Sequence, residues 1–309
     1  MDTCFCQKLT DIVGEDAVKY QEMMSLHTTF RIGGPADVLV TPPDEKSLMR
    51  AIALCQSEQV PFLIIGNGSN LLVSDAGIRG VVFQIYHTFE SVQYEAQADG
   101  SVIVEAGAGI LLPKLAREIA KQGLEGFEFA SGIPGTFGGA VAMNAGAYGG
   151  EIVQVIVRSK VIDMDGQVME LSREELDMGH RSSTVLKNHY IVLSAKLRFK
   201  HGDITQIEEK INELSAMRKE KQPLEYPSAG SMFKRPQGYF AGKLIQDAGL
   251  KGYRVGGACV SENHRGFVVN DGGASAADVY QLIQDVQKIV WDKFQVKLEP
   301  EVRLIGEFK

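Results

Sequence analysis

Four cysteines in 309 residues are too few to staple a secreted fold. Cys4 and Cys6 stand as C-x-C without a second Cys/His pair at zinc-site spacing, so no metal site is expected. Cys55 falls on the apolar side of an expected helix, and reduced thiols are expected throughout. An excess of positive charge is also missing. The chain has 32 Lys and Arg against 39 Asp and Glu, a net charge of −7, which offers no basic field to a nucleic acid. No apolar run approaches a membrane span, and Met1 to Thr10 has no signal-peptide pattern, so no membrane partner and a cytoplasmic location are expected. Internal repeats and low-complexity tracts are absent. What remains, 44% hydrophobic and 23% charged residues, is ordinary globular composition with length enough for two domains. A monomer is expected.

Glycine, by contrast, is concentrated. The stretch Ser131 to Gly150 reads S-G-I-P-G-T-F-G-G-A-V-A-M-N-A-G-A-Y-G-G, with seven glycines in twenty residues and no charge before Glu151. Glycine loses more backbone entropy on folding than any other residue, so such a cluster needs a reason: positive φ, a tight turn, or close approach of something else to the backbone. Ile133, Phe137, Val141, Met143 and Tyr148 are too apolar for a solvated tether. Free N–H groups without side-chain bulk suit a pyrophosphate or a flat cofactor ring.

Around this stretch the pattern alternates strands and helices. Residues 1–25 read as a helical arm anchored by Leu9, Ile12, Val13 and Val18. Strands are expected at 36–40, 62–65, 71–73, 81–85, 91–95 and 101–106, with helices from the capping residue Asp44 to about Gln59 and from Leu112 to Gln122. A hairpin turns at Asp165-Gly166 between Val153–Asp163 and Gln167–Leu171, Glu174 to Met178 is a helical turn, and His189 to Phe199 is a long strand. Near His201-Gly202 the composition changes, and the domain boundary is placed there. Beyond it comes an amphipathic helix, Asp203 to Lys221, with Ile204, Ile207, Ile211, Leu214 and Met217 inward. Helices at 241–248 and 276–294 follow, the second capped by Ser275 with Asp278, and strands are expected at 255–260, 266–270 and 297–305.

Several loops are richer in polar groups and glycine than connection requires. Gly66-Asn67-Gly68-Ser69-Asn70 follows a buried strand and could cradle a phosphate, yet it is neither a Walker A loop nor a G-x-G-x-x-G fingerprint, and an ordinary tight turn fits it as well. His180-Arg181-Ser182-Ser183 precedes a strand, where an arginine is usually a surface charge. Tyr226 to Pro236 places small residues around Ser231 and supplies Lys234 and Arg235 as anion-binding charge, with Lys221 upstream as a further cation; the bland reading is a polar turn. In Ser261 to Gly266, His264 reads more readily as scaffold than as catalyst. In Leu298 to Arg303, Glu301 and Arg303 share a face if Val302 and Leu304 point to the core. None of these decides anything alone.

Together they are specific. G-N-G-S-N (66–70), S-G-I-P-G-T-F-G-G-A-V-A-M-N-A-G-A-Y-G (131–149), R-x-S (181–183), A-G-S-x-F-K (229–234), H-x-G-F-x-x-N (264–270) and E-P-E-V (299–302) resemble, in that order, the UDP-N-acetylenolpyruvoylglucosamine reductase (MurB) family over about Leu26 to Gly306. The resemblance implies an α+β protein: a vanillyl-alcohol-oxidase (PCMH)-type FAD-binding domain of two α/β lobes, about 1–88 and 89–200, and a C-terminal α+β substrate-binding domain over 201–309. It implies reduction of the enolpyruvyl ether of UDP-N-acetylglucosamine to UDP-N-acetylmuramate in peptidoglycan synthesis, with FAD bound non-covalently and NADPH as co-substrate. The cofactor residues it implies are Gly66, Asn67, Gly68, Ser69, Asn70, Ser131, Gly132, Ile133, Gly135, Thr136, Gly138, Gly139, Ala140, Asn144 and Gly146. Arg181 and Glu301 would stabilise the intermediate's charge, Ser231 would donate a proton, and Lys221, Lys234 and Arg235 would meet the substrate. The chain departs from the family's common Tyr-Arg at His180-Arg181, and its short interval from Gly249 to Ser261 resembles the subtype without the tyrosine-bearing substrate loop.

Two other readings compete: an alcohol-oxidising flavoenzyme on the same fold, and a non-redox sugar-nucleotide-binding protein that keeps only the phosphate cradles. The first lacks an evident His/Tyr base or covalent flavin attachment site. The visible spectrum of the protein separates the redox readings from the last.

Overall fold

A computed structural model describes residues 2–308; Met1 and Lys309 lie outside the described residues. The chain divides into two compact units interleaved in sequence: Met1–Val18, Val40–Asn67 and Val82–Arg218 form one, and Lys19–Leu39, Gly68–Val81 and Lys219–Lys309 form the other. The expected division at residue 201 differs from this. The helix after it stays with the first unit as far as Arg218, and two early segments belong to the second unit.

The first unit is built on a six-stranded sheet. Strands Val168–Ser172, Ile156–Ile162, Ile191–His201, Val102–Gly107 and Val92–Ala96 lie in that order, and Leu124–Glu125 pairs with the end of Ile191–His201. Its ladders are antiparallel throughout. The central strand Ile191–His201 buries Leu193, Ala195, Leu197 and Phe199. Helix Leu112–Lys121 buries Leu112, Leu115, Ala116, Ile119 and Ala120, the i, i+3, i+4, i+7, i+8 stripe of a core-facing helix, and Gly123 follows it at φ +66°. Helix Glu45–Ser57 starts at Asp44, whose carboxylate accepts the Ser47 N–H at 2.7 Å. It buries Cys55, whose thiol burial pushes up to about 12.

In the second unit, Ser228–Ser231, Phe267–Asn270, Ala258–Val260 and Arg254–Val255 form an antiparallel sheet in that order. Helix Ala276–Phe294 buries Val279, Leu282, Ile283, Val286 and Val290 in the core that this sheet shares with Phe30, Ile32 and Leu72. Its expected Ser275/Asp278 capping box is present. Leu71–Val73 and Arg303–Ile305 run side by side in parallel.

Several expectations need correction. The N-terminal arm is α-helical only over Thr3–Val13; Gly14 at φ +91° stops it, a 3-10 turn follows at Glu15–Ala17, and Val18–Met23 is a strand. In the helix Ile204–Lys221 only Ile207 and Leu214 are buried, and Ile204 is 46% exposed. The strand at 255–260 is two strands around Gly256-Gly257, where Gly256 turns at φ +52° so close to Asp278 that a Cβ would lie 2.4 Å from its carboxyl carbon. The terminal strand shortens to Arg303–Ile305, and Leu304 is exposed while Val302 is buried. Glu174 to Met178 is a run of turns without a helix.

Candidate functional site

Two glycine-rich segments meet in the first unit. A Cβ on Gly66 would lie 2.1 Å from Thr136 Oγ1, so this glycine is what lets the strand end come up against the 131–140 segment. Asn67 Nδ2 donates to Pro134 O at 2.8 Å and fixes the approach. Inside the long stretch a short helix, Phe137–Ala142, forms with Thr136 as its N-cap; Thr136 Oγ1 accepts the Gly139 N–H at 3.4 Å. Sequence reading missed this helix. Its one signal was the threonine three residues before a free N–H, and glycine content masked it.

The glycines separate by cause. A Cβ on Gly138 would sit 2.8 Å from Ala108 Cβ, so packing inside the chain requires that glycine. Gly139 is exposed, and an added Cβ there would meet only Thr136 Oγ1 at 3.5 Å. Nothing in the protein demands glycine at 139, which leaves that space to a bound group. None of the backbone N–H groups of Asn67, Gly68, Ser69 or Asn70 donates a hydrogen bond among the described residues. Consecutive free N–H groups are the chemistry that anionic oxygen needs. An FAD with its pyrophosphate fits this donor set.

Other residues singled out in the sequence have their side chains committed. Ser131 Oγ donates to Glu128 O at 2.8 Å, and Ala140 is buried. Asn144 is 1% exposed, at φ +42°, and is fully engaged. Its Oδ1 accepts Val153 N at 2.9 Å, and its Nδ2 donates to Gly179 O at 3.0 Å and Glu151 Oε2 at 3.2 Å. These bonds lay the 179–183 loop along the glycine-rich stretch. Ser183 Oγ donates to Ala142 O at 2.6 Å, and Arg181 Nη2 donates to Gly146 O at 3.2 Å. Arg181 is half-buried, and its φ of +53° is left-handed, as are those of Asn144 and Tyr148, at +42° and +54°. Non-glycine residues in that region carry strain, and strain collects at functional sites. Asn144→Ala leaves a buried N–H and a carbonyl without partners and is expected to lower unfolding free energy by about 1–3 kcal/mol, read as a lower thermal midpoint. An unchanged midpoint would contradict the bracing role.

The second unit holds Ser231 and Glu301. Ser231 ends the strand Ser228–Ser231, after Gly230 at φ +78°. No strand is expected here from the sequence, whose small residues give no alternation, and it is held by pairing to Phe267–Asn270. Thr29 Oγ1 donates to Ser228 O at 2.7 Å, a tie that no motif in the sequence announces. Glu301 N donates to Met232 O at 2.8 Å, Lys234 N donates to Glu299 O at 2.9 Å, and Phe233 bridges Pro300. The segments bearing Ser231 and Glu301 therefore run side by side. Asn70 Nδ2 reaches Glu301 O at 3.1 Å, and Asn70 O accepts Arg303 N at 3.0 Å. The Ser231 hydroxyl makes no hydrogen bond among the described residues, so its proton is available. Lys221 and Lys234 are exposed, and Arg235 stacks on Phe240 with Cζ 3.9 Å from the ring centre. Burial holds His264 below the ordinary imidazole value, and its Nδ1 accepts Gly266 N at 3.2 Å, a scaffold role.

An open groove of about 980 Å³ in the first unit, lined by Asp99, Glu125, Arg173, Arg198, Lys200 and Asp203 among others, contains none of the residues picked from the sequence. Its mixed charges are mostly solvated, so the motif-bearing segments outrank it.

Comparison with known proteins agrees with these segments. The FAD binding domain family matches residues 36–172, and the UDP-N-acetylenolpyruvoylglucosamine reductase C-terminal domain family matches residues 222–305. The chain is 53% identical over 307 residues, 99% of both chains, to the UDP-N-acetylenolpyruvoylglucosamine reductase of Lachnoclostridium phytofermentans. It is 50% identical over 305 residues to that of Clostridium tetani, covering 99% of this chain and 97% of the other. The crystal structure of the Thermus caldophilus reductase (MurB) matches with a TM-score of 0.78 at 36% identity, over 92% of this chain and 98% of that one. An alkyldihydroxyacetonephosphate synthase, 17% identical with a TM-score of 0.50 over 65% of this chain, shares the fold alone.

Proposed function

The chain belongs to the UDP-N-acetylenolpyruvoylglucosamine reductase family, and from that premise we propose how its residues share the work. It is an FAD-dependent enzyme of α+β fold that reduces UDP-N-acetylglucosamine enolpyruvate to UDP-N-acetylmuramate for peptidoglycan precursors. The observation that carries this is the 53% identity running over 99% of both chains. NADPH is the proposed reductant, entering in turn with the enolpyruvyl substrate because the chain has no separate dinucleotide fingerprint. No helix among the described residues is long and apolar enough to cross a membrane, and the protein is proposed to act in the cytoplasm as a monomer. Residues 1–200 are proposed to serve the cofactor and 201–309 the substrate.

Bound FAD supplies hydride chemistry that no side chain can perform. Gly66 to Asn70 and Ser131 to Gly146 would hold it, through backbone N–H groups and the space at Gly139. Reduction of the enolpyruvyl group places negative charge on the substrate's α-carbon and carboxylate. Arg181, held by the Gly146 carbonyl, would meet that charge as a cation, and Glu301 would contribute a polar acid toward the same charge. Ser231 then gives its proton to the α-carbon. Lys221, Lys234 and Arg235 bind the anionic parts of the sugar nucleotide.

Arg181→Ala is expected to lower kcat and kcat/KM together, by about 10²–10³, because its interaction belongs to the transition state. A normal kcat with only a raised KM would assign Arg181 to ground-state binding. The family-level reading is tested by the absorbance spectrum: purified protein supplied with FAD is expected to keep a flavin band through gel filtration, and a colourless protein that cannot take up FAD contradicts it.

A further inference from the structure

The strand Ser228–Ser231 does not run in step with its neighbour. Ser228 stands opposite Val269 and Ser231 opposite Phe267, three steps on one strand against two on the other. One residue is therefore extra, a β-bulge, and Gly230 supplies its left-handed backbone at φ +78°. A Cβ at Gly230 would meet nothing within 4 Å, so space does not require glycine there and backbone conformation does. The bulge is pinned on both sides. Thr29 Oγ1 donates to Ser228 O at 2.7 Å before it, and Met232 N donates to Gly266 O at 2.8 Å after it.

The consequence lies in which face each side chain takes. Ala229 and Met232, 2% and 1% exposed, both belong to the core around helix Ala276–Phe294. Two residues three apart cannot share a face of a regular strand, where side chains alternate with period two. Counted from Ala229 without a bulge, Ser231 would enter that core and Met232 would leave it. A hydroxyl in an apolar core without a partner lowers stability and reaches no ligand. The extra residue reverses the parity. Met232 goes in, and Ser231 takes the other face, opposite Phe267, half-buried and with its hydroxyl uncommitted among the described residues.

We propose that this bulge is the device that aims Ser231, and that Gly230 is a positioning residue for the proton transfer, acting through a left-handed φ that glycine adopts without strain. The proposal rests on Ser231 as the proton donor. An L residue at 230 favours negative φ, and with it a backbone in which the Ser231 hydroxyl is misdirected. Bulges beside active sites re-aim side chains in this way.

The test follows the two half-reactions by stopped-flow absorbance in FAD-loaded protein with Gly230, Gly230→Ala, Gly230→Asn and Gly230→Val. Flavin bleaching by NADPH is expected to stay at the wild-type rate in all four. Reoxidation by the enolpyruvyl substrate is expected to slow about 5–30-fold with alanine, the left-handed penalty of an L residue read as a rate. Valine loses more than alanine, and asparagine less, because asparagine tolerates this region better although it is larger. The solvent deuterium isotope effect on reoxidation is expected to rise in the slowed variants, since proton transfer then limits the step; a packing defect would not move it. Faster reoxidation with alanine than with asparagine would make bulk the cause and overturn the proposal. So would wild-type reoxidation in the alanine variant, or equal slowing of both half-reactions. Should the alanine variant fail to fold, Thr29→Val removes the hydrogen bond on Ser228 at nearly constant side-chain shape. Reoxidation about 2–10-fold slower with normal bleaching then supports the proposal, and unchanged reoxidation overturns it. Wild-type reoxidation in Ser231→Ala would instead remove the donor reading itself, an outcome distinct from all of these.

Discussion

Ser231→Ala is expected to leave flavin bleaching by NADPH at its wild-type rate and to slow reoxidation by the enolpyruvyl substrate by about 10²–10⁴, the usual worth of a positioned general acid. The first half-reaction needs no proton from this hydroxyl, while the second needs one at the α-carbon. The Ser231 hydroxyl is committed to no partner, follows Gly230 at φ +78°, and sits on a segment bonded directly to that of Glu301. Ser231→Cys keeps a donor of similar size and is expected to retain more of the second half-reaction than alanine. Stopped-flow absorbance on the two half-reactions decides the matter. Wild-type reoxidation in the alanine variant would mean that the proton comes from elsewhere.

Gly139→Val is expected to give a folded, colourless apoprotein with no reductase activity. The Cβ meets only Thr136 Oγ1, at an ordinary 3.5 Å, and position 139 is exposed, so the loss is expected to fall on the cofactor. Valine in a short exposed helix costs well under about 1 kcal/mol against an average residue, too little to unfold a protein of this size. Gly138→Ala is the contrasting control: its Cβ would stand 2.8 Å from Ala108 Cβ, so thermal stability falls first. Full FAD occupancy in a folded Gly139→Val protein would remove the glycine-rich stretch from the cofactor site.

How far the sequence reached depends on what each element is held by. Helix Ala276–Phe294 and helix Glu45–Ser57 carry their own start signals, Ser275 with Asp278 and Asp44, and both were legible to within a residue or two. Ser228–Ser231 was not, because four small residues have no period and the strand exists only through its pairing with Phe267–Asn270. Phe137–Ala142 hid behind two glycines that oppose helix, and tertiary contacts at Ala108 and Gly66 hold it there. The interleaving of the units was invisible as well: composition changes at residue 201, whereas contacts place 19–39 and 68–81 with the C-terminal segment. In the site, motif order pointed to Arg181, Ser231 and Glu301.

The central claim, that this chain reduces an enolpyruvyl ether with FAD and its own acid, is tested most directly by an anaerobic single turnover. Protein carrying FAD is reduced with one equivalent of NADPH, then mixed with one equivalent of UDP-N-acetylglucosamine enolpyruvate. The account predicts return of the oxidised flavin spectrum with one equivalent of UDP-N-acetylmuramate formed. A flavin that stays reduced, or one that reoxidises without that product, contradicts it.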